Sequence, residues 1–382
     1  MEDFNEKVCL CALNRVSGNS PLSGRELIDH YGSASAAVNA PIEEWEALLG
    51  GPCEPISQKI LDESAAELEK LATEGKRFIG MDEDDYPTLL RECPDCPLGL
   101  YVHSGAPLAS IFEMRPCIAI VGTRDISPYG KEWCRRIVKS LADADIPPVI
   151  VSGLAFGADA IAHMSALEFG TGTVGVMATG LDKVYPWRHV PLAGQIVDSP
   201  CGALVTDYPC GTSPVALNFI RRNRIIAGLC RATIVIESKS KGGSLLTARY
   251  AVDYDREVYA LPGRADDVRS EGCNSLIATK MAELIVDGDD LARKLGLTSS
   301  ARGRMPLRER KMLFKDRLVR RYGETSPLIS IGLAVMDNSG AGLEELARAC
   351  CRSYTDTLQG IAVLQADGFV TMDLLQRCSP AV

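Results

Sequence analysis

Cys117-Ile118-Ala119-Ile120-Val121-Gly122-Thr123-Arg124 is an unbroken apolar run that stops at a glycine and is followed by a basic residue. A short apolar run bounded in this way predicts a strand buried on both faces, the condition of a parallel sheet covered by helices. Five more runs of the same kind follow, at Pro148–Val151, Thr173–Met177, Ala203–Thr206, Ala232–Glu237 and Glu257–Leu261. Between them lie segments of helical period, such as Trp133, Ile137, Val138 and Leu141, or Ile161, Ser165 and Glu168. Strand and helix alternating six times predict an open, doubly wound, mostly parallel α/β sheet. Its ligands would bind outside the carboxyl ends of the strands.

Outward from this core the texture changes twice. Residues 1–75 carry helical spacing without strand runs, broken at Tyr31-Gly32-Ser33 and Gly50-Gly51-Pro52, and predict a small all-helical domain. The α/β pattern occupies 76–297. From 298 to 382 a basic linker leads into a helix, and Leu343 to Val370 then reads helix, turn, helix, strand, about the size of a winged-helix module. The length of 382 residues fits such a multi-domain division. No apolar run approaches the ~18 residues of a membrane-spanning helix, and the first seven residues are acidic where a secretory signal would be basic. The 14 cysteines are scattered, several inside apolar runs, and are expected as reduced thiols of a cytoplasmic protein.

The formal charge of −9 excludes a uniformly positive surface. Local patterning runs the other way. Between Arg302 and Arg321 basic residues crowd together with only Glu309 and Asp316 among them, a block suited to phosphate or an acidic partner. The strand ends are also basic. Arg124 would sit where a ligand meets the sheet, beside free N–H groups of a helix starting near Pro128, unless it serves a surface salt bridge. No G-x-G-x-x-G follows the first strand. Gly122 and Gly130-Lys131 are spaced too far apart for a P-loop, with Glu132 where magnesium would need a hydroxyl, so nucleotide-cofactor chemistry is disfavoured.

The second strand delivers Ser152-Gly153-Leu154-Ala155-Phe156-Gly157-Ala158-Asp159, small residues that let backbone approach a phosphate. Asp159 and His163 lie four apart on one helix face and would hydrogen bond there. With Ser152 they admit either a catalytic trio or, more in keeping with the absence of a G-x-S-x-G elbow, an anion-positioning role. The third strand leads to Lys183, Tyr185, Trp187 and Arg188, cations and rings interleaved as unpaired nucleic acid requires; the bland alternative is that Tyr185 and Pro186 cap the core. Arg221, Arg222 and Arg224 are expected to project from the beginning of a helix, which costs stability unless an anion or acid compensates. Lys239-Ser240-Lys241-Gly242-Gly243 forms another Gly-rich strand end. Cys93-Pro-Asp-Cys96 has zinc-like internal spacing but no second pair, and the acidic stretch 81–86 reads as a solvated loop.

Taken together these segments resemble the DNA-processing protein A family, DprA or Smf. The resemblance runs through Tyr86-Pro87-Thr-Leu-Leu90, Ile120-Val-Gly-Thr-Arg124, Ser152-Gly-Leu-Ala155 with Gly157 and Asp159, and Ala178-Thr-Gly-Leu-Asp182 with Tyr185-Pro186. It continues through Phe219 with Arg222-Asn-Arg-Ile-Ile-Ala-Gly228, Gly243-Ser-Leu245, Leu261-Pro-Gly263 and Gly272-Cys-Asn274. The resemblance implies an extended Rossmann-like domain that binds single-stranded DNA without a cofactor or catalytic turnover, dimerises, and helps load the RecA recombinase in natural transformation. It implies a SAM/HhH-like helical domain before it and a winged-helix-like domain after it. Phosphate contacts would come from Arg124, Ser152, Gly153, Lys183, Arg222, Asn223 and Arg224, with Gly122, Thr123, Phe156, Phe219 and Lys241 completing the DNA-binding set. Phe156 stands where the family often has Lys, Ile220 where it has Pro, and His189 where it has Asn. An alternative is an enzyme like the nucleoside-monophosphate phosphoribohydrolases, although Pro262-Gly263-Arg264-Ala265 lacks their Pro-Gly-Gly-x-Gly-Thr loop and following Glu. A protein-interaction scaffold, with the arginines held in salt bridges, is a third.

Overall fold

The computed structural model describes residues 2–18, 20–298, 307–373 and 377–380. It separates into two compact units, residues 1–299 and 300–382. In the first, nine strands form one sheet: β1 Lys76–Gly80, β2 Gly99–His103, β3 Cys117–Val121, β4 Val149–Ser152, β5 Thr173–Val176, β6 Gly202–Thr206, β7 Ala232–Val235, β8 Glu257–Ala260 and β9 Glu283–Leu284. Their order is β1-β2-β6-β5-β4-β3-β7-β8-β9. All pairs from β6 across to β9 are parallel, and β2 pairs antiparallel with both β1 and β6. The six runs read from the sequence are β3 to β8. The structure adds the antiparallel pair at one edge and a two-residue strand at the other.

Strand period places the core. Cys117, Ala119 and Val121 face one side with Val149, Val151, Val174 and Val235, under the helices Ala216–Gly228 and Ser244–Asp253. Ile118 and Ile120 face the other with Ile150 and Ile234, under Cys134, Ile137, Val138 and Leu141 of the helix Pro128–Ala142. Each Val, Ile or Leu among them contributes ~1.5–3 kcal/mol by leaving water, so a one-residue slip of β3 would exchange both faces and is strongly opposed. The chain steps from β3 outward through β4, β5 and β6, then returns to lay β7, β8 and β9 on the opposite side. The crevice where the direction reverses lies between β3 and β7, the ligand-binding position of a Rossmann-like sheet.

Helices Glu2–Ser17, Pro21–Tyr31, Ala34–Asn39, Ile42–Leu49 and Gln58–Thr73 precede the sheet, as the spacing predicts. Their Leu10, Leu13, Leu27 and Trp45 join Phe78, Tyr101, Met177 and Leu204 in one apolar cluster, so helices and sheet share a core across residue 75. Buried Asn14 fastens them polar-wise, donating to the Asp207 carbonyl at 3.0 Å and accepting from the Gly99 amide at 3.2 Å.

The second unit contains the helices Leu307–Tyr322, Pro327–Asp337, Leu343–Ala349 and Tyr354–Ala366. Its strands β10 Ala341–Gly342, β11 Val370–Met372 and β12 Arg377–Pro380 pair antiparallel in the order β10-β12-β11. Of the basic block, Arg302 and Arg304 lie outside the described residues. Lys311 pairs with Asp337 at 2.6 Å and Arg321 with Asp367 at 3.1 Å.

Candidate nucleic-acid interface

At the switch point the strand-end loops enclose a groove of about 920 Å³, lined by Gly122 to Asp125 after β3, Ala155 and Asp159 after β4, and Ser238 to Ser244 after β7. Tyr185, Phe219, Ile220, Arg222 and Asn223 are among its other lining residues. The β3 loop is stitched in place from both sides: the Thr123 amide donates to the Glu237 carbonyl at 2.7 Å, and the Ala158 amide donates to the Thr123 carbonyl at 3.1 Å. Gly157, at φ +79°, makes this approach possible. A Cβ there would lie 2.2 Å from the Thr123 carbonyl oxygen. The loop thereby turns the Arg124 side chain outward. Its guanidinium lies over the Phe219 ring, 5.5 Å from the centroid, with no carboxylate in ion-pair range among the described residues, so the salt-bridge alternative does not apply. Lys239 and Lys241, in the loop after β7, are exposed and line the same groove, and Asn223 donates to the Gly243 carbonyl at 3.4 Å.

The arginines of the helix Ala216–Gly228 behave differently from expectation. The helix begins five residues before Arg221, so Arg222 and Arg224 sit well inside it and are 3% and 5% exposed. Arg222 donates to the carbonyls of Gly153, at 2.7 Å, and Val176. A Cβ on Gly153 would meet that guanidinium at 2.5 Å, which is why glycine stands there. Arg224 pairs with buried Asp207 at 2.6 Å and donates to the Asp95 carbonyl. Of these cations, Arg224 has a carboxylate of the same chain as partner and Arg222 has backbone carbonyls. They hold the groove from beneath.

The helix N-termini around the groove are also served internally. Glu237, buried, accepts from the Ser127 amide at 2.9 Å and hydroxyl at 2.5 Å, so the anion position expected before Pro128 is filled by a carboxylate of this chain. Asp159 accepts from the amides of Gly153 at 3.1 Å and Ala155 at 3.3 Å. Burial pushes its carboxyl up while the Arg222 charge pulls it down. The expected bond from Asp159 to His163 is absent. The His163 ring nitrogen Nδ1 meets Thr173 Oγ1 at 2.7 Å, and burial pushes the imidazole down to about 3. Ser152 is buried and donates to the Ile120 carbonyl at 2.6 Å, so Ser152, Asp159 and His163 form no relay.

Residues 77–296 match the family described as DNA recombination-mediator protein A. The Smf protein of Synechocystis is 30% identical over 410 aligned positions, 97% of each chain. The chain belongs to this family. Among solved structures, DNA processing protein A from Streptococcus pneumoniae superposes with a TM-score of 0.60 at 31% identity, over 74% of this chain and 95% of that one. DNA processing protein A from Helicobacter pylori, described for its single-stranded DNA binding mode, gives 0.51 at 27% identity, over 58% and 95%.

Against the family's motifs, two departures have a structural account. His189 donates from Nδ1 to the Leu154 carbonyl at 2.7 Å, a bond that the amide of Asn can also make; Leu154 stands at φ +57° and needs such a support. Phe156 is 42% exposed and packs edge-on to His189 at 4.8 Å, outside the groove lining. Lys183 is exposed and likewise outside the lining. Tyr185 is 46% exposed and meets Phe219 at 5.4 Å, whereas Pro186 is buried. Missed from the sequence was Asp125, whose carboxylate pairs with Arg269 at 3.0 Å and ties the loop after β8 to the groove wall. Its partner lies 144 positions away, beyond any local signal.

Proposed function

We propose that the chain binds single-stranded DNA in this groove without chemical turnover. It would protect incoming strands in the cytoplasm during natural transformation and, as a homodimer through the sheet-bearing domain, help load the RecA recombinase. One observation carries the reading: a chain of net charge −9 leaves Arg124 unpaired over Phe219 and lines the same switch-point groove with Lys239 and Lys241. Cations that track phosphates beside a ring that stacks on bases are what an unpaired strand requires. The Helicobacter structure described for single-stranded DNA binding supports the ligand class. In this reading Arg124, Asn223 and Lys241, with the backbone of Gly122, meet the strand and Phe219 stacks, while the Thr123 backbone, bonded to Glu237 and Ala158, fixes the loop. Ser152, Gly153, Arg222 and Arg224 hold the wall. The two carboxylates of the lining, Asp125 and Asp159, are engaged by Arg269 and by backbone amides, which leaves the hydrolase alternative without a free acid-base group there. The organisation proposed with it is a SAM/HhH-like domain at 1–75, the DNA-binding domain at 76–297 and a winged-helix-like domain at 298–382.

Titration of a labelled oligonucleotide, single-stranded and annealed to its complement, over a salt series tests this. The single strand should bind more tightly. Arg124→Ala should weaken binding to every sequence alike and flatten the slope of log affinity against log salt by about 0.7, one phosphate contact. Titration curves unchanged by Arg124→Ala would overturn the assignment of the groove, and release of free base from nucleotides would favour the hydrolase.

A further inference from the structure

Beyond the Tyr185 wall the surface continues as a run of exposed rings. Phe156 is 42%, Tyr185 46% and Trp187 73% exposed, while Trp45 is buried and Trp133 half-buried. Single exposed apolar side chains are ordinary, but these are linked. Arg124 lies over Phe219, Phe219 meets Tyr185 at 5.4 Å, and the same loop carries on through Trp187 to His189, which meets Phe156 at 4.8 Å. Cations are interleaved with the rings. Arg188 lies 5.6 Å over Trp187, and neither it nor Lys183 has a carboxylate in ion-pair range among the described residues. The acid of the loop, Asp182, accepts instead from the Gly211 amide at 3.0 and 3.1 Å.

We propose that Phe156, Tyr185 and Trp187 form a base-stacking shelf that takes the nucleotides leaving the groove, with Lys183 and Arg188 meeting their phosphates. The inference rests on the single-stranded DNA reading above and deepens it. Charge and continuity favour a polynucleotide over a protein partner. Protein interfaces are depleted in lysine at their core, whereas this shelf pairs its rings with unpaired cations and begins at a residue that already lines the groove. The shelf also supplies a reason to prefer single strands, since bases inside a duplex have no free face to stack. Where other family members place a Lys at 156, this chain substitutes a contact that salt does not screen.

The test uses the full chain, an oligo-dT length series and an abasic strand of the longest length, followed by anisotropy and by tryptophan emission. Long oligo-dT should quench emission. Trp187→Ala should weaken binding of long oligo-dT about tenfold, with the salt slope unchanged, and do little to the shortest lengths or to the abasic strand. Trp187→Phe should restore most of the affinity, and Phe156→Ala should mirror Trp187→Ala. Native affinity for long oligo-dT in both alanine variants, or equal losses on the abasic strand, would overturn the shelf. A variant that keeps its DNA affinity but loses a protein partner would also overturn it. Failure of the groove itself is distinguishable, because it appears as an Arg124→Ala titration without effect.

Discussion

Replacing Arg222 by Met separates the two roles an arginine can play beside a groove. The native guanidinium is 3% exposed, donates to the Gly153 and Val176 carbonyls, and supplies the charge that offsets the burial of Asp159. Met keeps most of the stem's packing but leaves two carbonyls without this donor and a buried carboxyl without its cation. Removing one partner from such an arrangement costs ~3–5 kcal/mol, which in a unit of this size lowers Tm by about 10 °C. Arg222→Lys keeps the charge but ends its shorter stem short of the Nη1 position that donates to both carbonyls, so it should fall between. The deficit of Arg222→Met should also depend on pH. The folded-state pKa of Asp159 already lies above its ordinary 3.8, and loss of Arg222 raises it further. Stability from a group raised in this way is fully present below its unfolded value and is lost as pH rises through the folded one. The deficit is therefore smallest near pH 3 and widens as the solution is made less acid. Thermal unfolding over a pH series, with a salt-series titration of oligo-dT in parallel, reads both effects. A phosphate contact would instead give native Tm and a slope flatter by about 0.7. That result would refute the internal role.

Two other expectations follow from the same geometry. His163 is neutral and buried with Nε2 unpartnered, at about 3 against an ordinary 6.5. Its stabilising contribution is present above 6.5 and is lost as pH falls toward 3, at about 1.4 kcal/mol per pH unit. Denaturant melts across that range should be flatter in His163→Phe, and identical slopes in both proteins would count against it. Gly157→Ala forces a side chain into φ +79° with its Cβ 2.2 Å from the Thr123 oxygen, so it should cost more than about 2 kcal/mol and displace the loop that carries Arg124. Native Tm in that variant would contradict the close approach.

The strands legible in the sequence are those buried on both faces. Ile118-Ala-Ile-Val has no polar position to confuse its period, whereas β1 reads Lys-Arg-Phe-Ile-Gly, charged at one end, and β9 is two exposed residues at an edge. The site was legible as a set of glycine-punctuated strand ends, because backbone geometry is written locally. Side-chain direction was not. Arg222 and Arg224 lie 200° apart around an ideal helix, yet both are buried because that helix has protein on more than one side: Gly153 and Val176 beneath one, Asp207 and Asp95 beside the other. The expectation that these arginines project from the beginning of a helix and await an anion did not hold: they lie inside it, Arg224 against Asp207 and Arg222 against carbonyls. Which partner serves each depended on tertiary contacts. Glu237 repeats the point, since a carboxylate 110 positions from Ser127 fills what the local sequence presents as a vacant anion site.

A positive groove in an acidic chain arises here by subtraction. Asp159 is turned onto backbone amides, Asp125 onto Arg269 and Glu237 onto Ser127, so the carboxylates nearest the groove are each engaged by neighbours within the fold. Arg222 is consumed by carbonyls. Among the described residues, the groove-lining cations that face solvent without an ion pair are Arg124, Lys239 and Lys241. Three cations bound the groove's share of the salt dependence. Replacing all three by Ala should reduce the slope of log affinity against log salt by about 2 and leave any contribution from cations elsewhere in the chain intact. A reduction smaller than that of one contact would mean that the strand's phosphates lie along some other face. The inward-turned acids would then be serving only the packing of the strand ends.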